Sequence, residues 1–537
     1  MRIGYRGSAT AGLRWPSIGI VRALASVVED IDVLVVGAGP TGLVLALWLV
    51  RQGVRVRIID QLPEPGTTSR AIAVVPRTLE LYRQLGLADI VVKRGRMLGA
   101  VNLWVRAERV GHVRLGEIGE GISPYPFLLM FPQDEHERLL IERLEAEGAR
   151  VERPTTLSGF EALDDHVIAR LCDASGNISE CRAAFLAGCD GARSTVRRAL
   201  SIEFAGGTYS HLFYVADVDA TGPLANGELH VALDEADFLG IFPLAQQGRV
   251  RLIGTVRQDA VTRGDALTWD DVSSSALARL HVAVERVNWF STYHVHHRVA
   301  SRFREGRVFL LGDAAHVHSP VGGQGMNTGI GDAVNLAWKL AAVVRQRAPL
   351  GLLDSYEPER ILFARKLVKT TDRAFQFVTS NSALVERART KLAPHVLSAL
   401  LERRRGRLWA FRTVSQTRIE YRSSPLSEGA AGHVHAGDRL PWLPGAAAGS
   451  DNFEPLTSLE WQLHVYGEAP STLRAQAEAL RLPLHVFEWQ SAAERAGFEQ
   501  NAVYLVRPDG YVAYADSEAN PERLARYLGR LMHKLQT

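Results

Sequence analysis

Two hydrophobic rhythms alternate along the chain. Val33–Val36 is an unbroken apolar run, the pattern of a strand buried on both faces. The turn Gly37-Ala-Gly-Pro-Thr-Gly42 follows, then Leu43–Gln52 as a helix stopped by Gly53, then Val54–Ile59 as a second strand ending at Asp60. Together they predict a βαβ unit. Asp134–Glu147 has helical spacing, and residues 151–186 read as short strands with turns at Asp164-Asp165 and Ser175-Gly-Asn177. Strand-like runs recur through 205–300, including Tyr214–Val218, Phe238–Phe242 and Arg249–Val256, and predict a large antiparallel sheet inserted into the first domain. Val308–Gly312 is another buried strand. It runs into a glycine-rich loop and a helix from about Asn327 to Arg345.

Helical spacing then fills 354–412, with Arg403, Arg404, Arg405 and Arg407 read as a solvated face. Arg422–Gly449 is rich in Pro and Gly and reads as a linker. From Trp461 the pattern becomes a compact βαβ–ββα order. The expected division is an extension over 1–30, an α/β nucleotide-binding domain over 31–205 and 300–375, the inserted sheet over 206–299, a helical segment over 376–425, a linker over 426–454 and a small α/β domain over 455–537.

Composition narrows the function. Lys+Arg number 62 and Asp+Glu 59 in 537 residues, a net charge of +3 that offers nucleic acid no concentrated basic excess. The 3 cysteines, Cys172, Cys181 and Cys189, form neither a disulfide scaffold nor a CxxC pair. The apolar stretch Val33–Val50 is broken by its glycine turn, so a spanning helix and stable membrane association are not expected. The first thirty residues bear arginine and lack acid until Glu29, and Arg22 interrupts their apolar stretch. They read as a poorly ordered extension, with a cleaved transit peptide as the alternative, and a cytoplasmic location is expected.

The turn at 37–42 matches G-x-G-x-x-G and has its full context: a strand before, a helix after, and Asp60 at the next strand's end. Gly37 permits the tight turn, Gly39 lets backbone approach a pyrophosphate, and Gly42 lets helix and sheet pack closely. Pro40 and Thr41 lie inside the turn, and the helix after it offers free N–H groups to the phosphates. Asp60 can accept from ribose hydroxyls. The turn by itself does not separate FAD from NAD. Asp190-Gly191, in CDGARSTVRR, reads alone as an unremarkable turn before a helix.

GAGPTG, CDGARSTVRR and GDAAHVHSPVGGQGMNTGIGDAVNLAWKL, in this order, resemble the three fingerprints of class A flavoprotein monooxygenases. The likeness extends to SRAIAVVPRTLELYRQLGL, FPQDEHERLL and LLDSYEPER. It implies a Rossmann-like FAD-binding domain with an inserted substrate sheet, as in p-hydroxybenzoate hydroxylase. It also implies a thioredoxin-like C-terminal domain, here without redox cysteines, for which packing or a homodimer contact is the expected role. Non-covalent FAD, transient NAD(P)H, O2 and a phenolic or polyketide-like aromatic substrate come with the resemblance, as does oxygen transfer through a flavin C4a-hydroperoxide.

Carried over by residue, Thr41 lies by the phosphates, Asp60 and Gln61 at the adenosine ribose, and Arg70 and Gln133 near the phosphate and ribityl chain. Leu157 offers adenine a backbone contact. Asp190, Gly191 and Thr195 form the Asp-Gly segment shared by both nucleotides. Gly312 and Asp313 hold the ribityl chain, and Met326 and Asn327 present N–H groups to the flavin's pyrimidine ring. Pro320 stands beside the reactive edge, while Gly322, Gly323 and Gly325 let backbone pass close to the flat ring. No base for a phenol is identifiable among His211, Tyr214, His230, Tyr293, His294, His296 and His297. His294 and His296 share a strand face without a third ligand, so no metal is expected. His316 and His318 read as loop packing first. The alternatives are a flavin oxidoreductase of this fold without oxygen insertion and a flavin-binding protein without turnover.

Overall fold

The computed structural model describes residues 29–66, 71–115, 119–233, 238–256, 267–272, 274–319, 323–379, 385, 388, 403–445 and 450–536. The expected extension before Glu29, and Arg70, Pro320 and Gly322, lie outside the described residues, as does most of 380–402.

Glu29–Val36 is the centre of the first sheet, and its second half, Val33–Val36, is apolar on both faces. It runs parallel to Ile178–Gly188 on one side and to Val56–Ile59 on the other. Ile178–Gly188 in turn runs parallel to Val308–Leu310, and Val56–Ile59 to Val151–Glu152. The register decides where chemistry can occur. Val36 is level with Gly188 and Ile59, and Gly188 with Leu310. Gly37, Asp60, Cys189 and Leu311 therefore leave the sheet side by side, at the carboxyl ends where open α/β sheets bind ligands. Helices Pro40–Arg51 and Gly325–Val344 are buried against this sheet, with Trp48 and Trp338 shut off from solvent.

The second sheet has eight strands, in the order His316–Val317, Ala283–Ala300, Phe204–Thr221, Arg249–Thr255, Phe238–Pro243, Leu229–Leu233, Ala100–Val105 and Glu108–Arg114. The last two correct the expected division, which placed them in the nucleotide-binding part. Leu229–Leu233 pairs with Ala100–Val105 in parallel, a contact between distant segments that local alternation does not encode. The strands have two faces. One buries Leu212, Tyr214, Ala216, Val218, Leu239, Ile241 and Leu252 with Leu267, Leu277 and Leu280. The other carries Phe213, Val215, Ile253 and Tyr293, level with one another across the strands. It turns towards the first domain: Arg251, held on Asp217 at 2.7 and 2.8 Å, donates to the Ala71 carbonyl at 3.2 Å.

The C-terminal sheet has six strands, in the order Val434–His435, Glu428–Ala431, Val512–Asp516, Val503–Val506, Gln462–Tyr466 and Leu484–Phe487, with helices Ser471–Ala479, Ser491–Ala496 and Pro521–Gln536. The βαβ–ββα order is as expected. The linker assigned to 426–454 is corrected in part: Glu428–Ala431 pairs in parallel with Val512–Asp516 and is a working strand of this sheet. Its glycine misled the reading. Gly429 has φ +91°, and a Cβ there would stand 2.2 Å from the Ala515 carbonyl oxygen. No helix among the described residues is long and apolar enough to cross a membrane.

Gly429→Ala is expected to destabilise the C-terminal sheet by about 1–3 kcal/mol, read as an earlier loss of its structure on thermal unfolding. An unchanged melt would mean that the strand is dispensable.

Candidate active site and cofactor cradle

The first motif is built by contact distance. A Cβ on Gly37, whose φ is +103°, would lie 2.4 Å from the Cys189 oxygen, and one on Gly42 would lie 2.0 Å from the Gly37 oxygen. Gly39 differs: a Cβ there meets nothing within 4 Å, so open ground faces the helix start at Pro40. That space, with N–H groups behind it, fits a pyrophosphate. The Thr41 side chain has other work. Its Oγ1 would stand 2.7 Å from a Cβ on Gly312 and 2.3 Å from one on Gly329, so it packs between the third strand's end and the long helix instead of facing phosphate.

Asp60 is already engaged. Its carboxylate accepts from the Ala38 N–H at 2.7 Å and the Leu62 N–H at 2.8 Å, and Arg153 stands 3.1 Å away. The sequence reading missed Arg153. Gln61 is exposed beside it. Leu157 lies in Thr155–Ala162 with its side chain in the core, and Thr155 donates to the Asp60 carbonyl at 2.8 Å. Gln133 opens its helix, donates its backbone N–H to Ala71 at 3.2 Å and its amide to Glu137 at 2.8 Å.

In the second motif Gly191, with φ +75°, turns the chain so that Asp190 caps the following helix. One oxygen accepts from Thr195 N–H at 2.6 Å and Val196 N–H at 3.1 Å; the other is buried and has no partner among the described residues. Arg197, also missed, donates to the Ala192 and Ala314 carbonyls at 2.7 and 2.8 Å and so ties this turn to the third motif.

The third motif turns on Asp332. Its carboxylate accepts from the Gly312 N–H at 3.0 Å, His316 Nε2 at 2.7 Å and Arg360 Nε at 2.6 Å. Burial would raise this carboxyl, but Arg360 and His316 together hold it below its ordinary range. Gly312, at φ +56°, is thereby fixed with Asp313 exposed beside it. The long helix starts at Gly325, and its first N–H groups, around Met326 and Asn327, have no carbonyl one turn back within the helix. The Asn327 side chain accepts from Val75 N–H and Thr78 Oγ1 at 3.1 and 2.8 Å, and donates to the Ala73 and Gly323 carbonyls at 2.9 and 2.8 Å. That bracket aims the helix start. Gly323, with φ +63°, approaches Ala73, where a Cβ would stand 2.8 Å away.

His318 donates from Nδ1 to the Ser319 carbonyl at 2.8 Å, which leaves Nε2 an acceptor, buried near Gly325 and without a partner among the described residues. Burial pushes His318 down to about 4. Of the sheet histidines, His230 lies on the face away from the first domain, bonded to Trp104 and Asn226. Among the described residues no group of three or more His, Cys, Asp or Glu could hold a metal.

An open phosphate turn and an orphaned Asp190 oxygen beside a bracketed helix start suit a flavin dinucleotide. Residues 30–371 match the FAD binding domain family, and 433–534 match the aromatic-ring hydroxylase C-terminal family. The chain belongs to the FAD-dependent aromatic-ring hydroxylases. It is 34% identical over 508 residues to 6-methylpretetramide 4-monooxygenase of Streptomyces rimosus, covering 90% of each chain. It is 32% identical over 541 residues to aklavinone 12-hydroxylase RdmE of Streptomyces purpurascens, covering 91% of this chain and 96% of that one. OxyS anhydrotetracycline hydroxylase from Streptomyces rimosus superposes with a TM-score of 0.75 at 28% identity, covering 93% and 98%. CabE, an aromatic hydroxylase from angucycline biosynthesis, gives 0.73 at 29%, covering 94% and 99%. In this hydroxylase the three motifs converge at the carboxyl ends of the first sheet, beside the start of helix Gly325–Val344.

Two outcomes are expected. Gly42→Ala pushes a methyl into the Gly37 carbonyl and should weaken FAD binding about tenfold or more, read as flavin retained after gel filtration. His318 takes up a proton in the unfolded chain from about pH 6.5 downward, but in the folded chain only near 4. Its contribution to stability is therefore full above pH 6.5 and falls between 6.5 and 4, by about 1.4 kcal/mol per pH unit at most. Denaturation midpoints measured across that window should flatten in His318→Gln.

Proposed function

We propose that this hydroxylase uses NAD(P)H and O2 to hydroxylate a polycyclic, polyketide-like phenol. The observation that carries the reading is the match to 6-methylpretetramide 4-monooxygenase over 90% of both chains, tail included. A broad apolar sheet face with Phe213, Val215, Ile253 and Tyr293, on the side that Arg251 ties to Ala71, supports a flat substrate of several rings. A reaction that consumes NAD(P)H fits the cytoplasmic pool.

FAD supplies the electron transfer and oxygen activation when bound. The chain's own residues do the rest. Gly39 and the N–H groups after it receive the pyrophosphate, Asp60 and Gln61 the adenosine ribose, and Leu157 the adenine. Asp190 and Thr195, with Arg70 and Gln133, line the dinucleotide's path. Asp313 takes the ribityl hydroxyls. Met326 and Asn327 N–H groups, at a helix start, stabilise negative charge at the ring's pyrimidine edge. Gly323 borders the face where substrate meets the ring, a place that the family resemblance also assigns to Pro320 and Gly322, and the apolar sheet excludes water there.

The electron donor docks beside the Asp-Gly turn. Arg193 is exposed, and Arg298 bonds only to Thr208 Oγ1, at 3.3 Å; among the described residues neither has an acidic partner. Both act electrostatically on His296, which is held below its ordinary value by burial and by these cations. Unpaired guanidinium groups at one place suit a doubly charged pyrophosphate.

NAD(P)H oxidation and O2 uptake with single-ring and fused-ring phenols, followed by mass spectrometry, test the reading. One added oxygen on a fused-ring phenol is expected. Peroxide alone with every phenol, at full FAD occupancy, would overturn it. Arg193→Ala with Arg298→Ala should raise KM for NAD(P)H about tenfold and leave FAD content unchanged.

A further inference from the structure

Each fixed point of helix Gly325–Val344, the flavin helix of the proposed site, is joined to the C-terminal domain through a helix or through one or two intermediate residues. At the helix start, Asn327 holds Val75 and Thr78 at the head of helix Pro76–Gln84. The rest of that helix is gripped from the other side. Arg77 donates to the Asp509 carbonyl at 2.5 Å, and Gln84 to the Pro508 and Leu456 carbonyls at 2.8 and 3.1 Å. Glu80 receives Arg439 on both oxygens at 2.8 and 2.5 Å.

One turn further along the flavin helix, Asp332 holds Arg360, which donates to Tyr421 Oη at 2.8 Å. Tyr421 packs on Tyr511 of the C-terminal domain, ring centroids 4.4 Å apart. In the next turns, Asn335 and Lys339 donate to Glu359 at 2.7 and 2.8 Å, and Glu359 is clasped by Arg507 at 2.7 and 3.0 Å. Arg507 also holds Asp509 at 3.0 and 2.6 Å. Arg77, Glu80, Asp332, Lys339, Glu359, Arg360, Arg439, Arg507 and Asp509 are all buried.

We propose that docking of the C-terminal domain is thermodynamically coupled to FAD binding, with Arg507 as its principal positioning residue. Buried ions tolerate no half-made arrangement: a charge that loses its partner in the interior is strongly unfavourable. If the domain undocks, Glu359 loses Arg507 and Glu80 loses Arg439, and only Lys339 and Arg77 remain to balance them. The flavin helix and helix Pro76–Gln84 are then no longer held at Asn327 and Asp332, which aim the helix start and fix Gly312. Two partners that order one element must assist each other equally. The domain then has a function that needs no cysteine.

Apoprotein of the full chain is titrated with FAD, following quenching of flavin fluorescence, for wild type, Arg507→Met, Arg507→Lys and Tyr421→Phe, with the exposed Arg523→Ala as control. Arg507→Met should weaken FAD about tenfold or more. Arg507→Lys should recover part of that loss, Tyr421→Phe should weaken FAD severalfold, and the control should match wild type. FAD affinity within twofold of wild type in a folded Arg507→Met would overturn the proposal. Should that variant not fold, the wild-type holoenzyme decides. On a thermal ramp, flavin release and loss of hydrogen-exchange protection in Val503–Val506 should coincide, whereas protection lost well before flavin release overturns the proposal.

Discussion

Two buried carboxylates, Asp332 and Glu359, set the terms for the rest of the molecule. Burial alone would raise both, but arginine and lysine neighbours outweigh it and hold both below their ordinary range. Burial draws Lys339 down to about 8 in spite of Glu359 beside it. Such groupings are weak as net stabilisers, since desolvation offsets much of the attraction. Their effect is to select one arrangement. Asp332 has three donors from three segments, Gly312, His316 and Arg360. Glu359 likewise gathers Asn335, Lys339, Ser424 and Arg507. Displacing the elements that carry Arg360 or Arg507 would leave these carboxylates short of a buried cation.

That constraint works on a sheet whose register has already brought the motifs together. The parallel strands ending at Val36, Ile59, Gly188 and Leu310 deliver Gly37, Asp60, Cys189 and Leu311 to one edge. Gly37 then permits contact with Cys189, and Gly312 and Gly329 permit contact with Thr41. Small residues are needed there because three chain segments pass within van der Waals distance. The cradle is a consequence of parallel pairing, close packing and one buried acid.

What could be read in the sequence was whatever is encoded over a few neighbouring positions. The glycine turn, the buried strand before it and the helix after it are local, and so is the Gly312–Asp313 turn. The tail's strand and helix order could be read for the same reason. Long-range pairing could not. Ala100–Val105 alternates like any strand, and nothing nearby says that it joins Leu229–Leu233. Glu428–Ala431 is short and holds a left-handed glycine, so it read as linker. Thr41 looked like a phosphate ligand by position, although its contacts come from residues almost 300 positions away. LLDSYEPER was visible as a motif, but the partners of Glu359 and Arg360 lie on other elements. Arg153 and Arg197 carried no local signal that set them apart from the chain's other arginines.

The segment Arg507-Pro-Asp-Gly-Tyr511 shows how far a local reading reaches and where it stops. As sequence it is a tight turn, with proline and Asp-Gly joining two strands. In the fold that turn is the contact surface of its domain. Arg507 and Asp509 enter the ion lattice, Gly510 leaves room for Arg77, and Tyr511 lies on Tyr421. A hairpin tip normally faces water, where it needs no partner. Here its arginine is wholly buried and its aspartate nearly so, which is favourable only because Arg507 meets both Glu359 and Asp509. A thioredoxin-like domain that merely covered the core could have presented apolar side chains. Presenting charges instead makes docking conditional on the placement of helix Tyr356–Thr379 and, through Glu359 and Arg360, of helix Gly325–Val344.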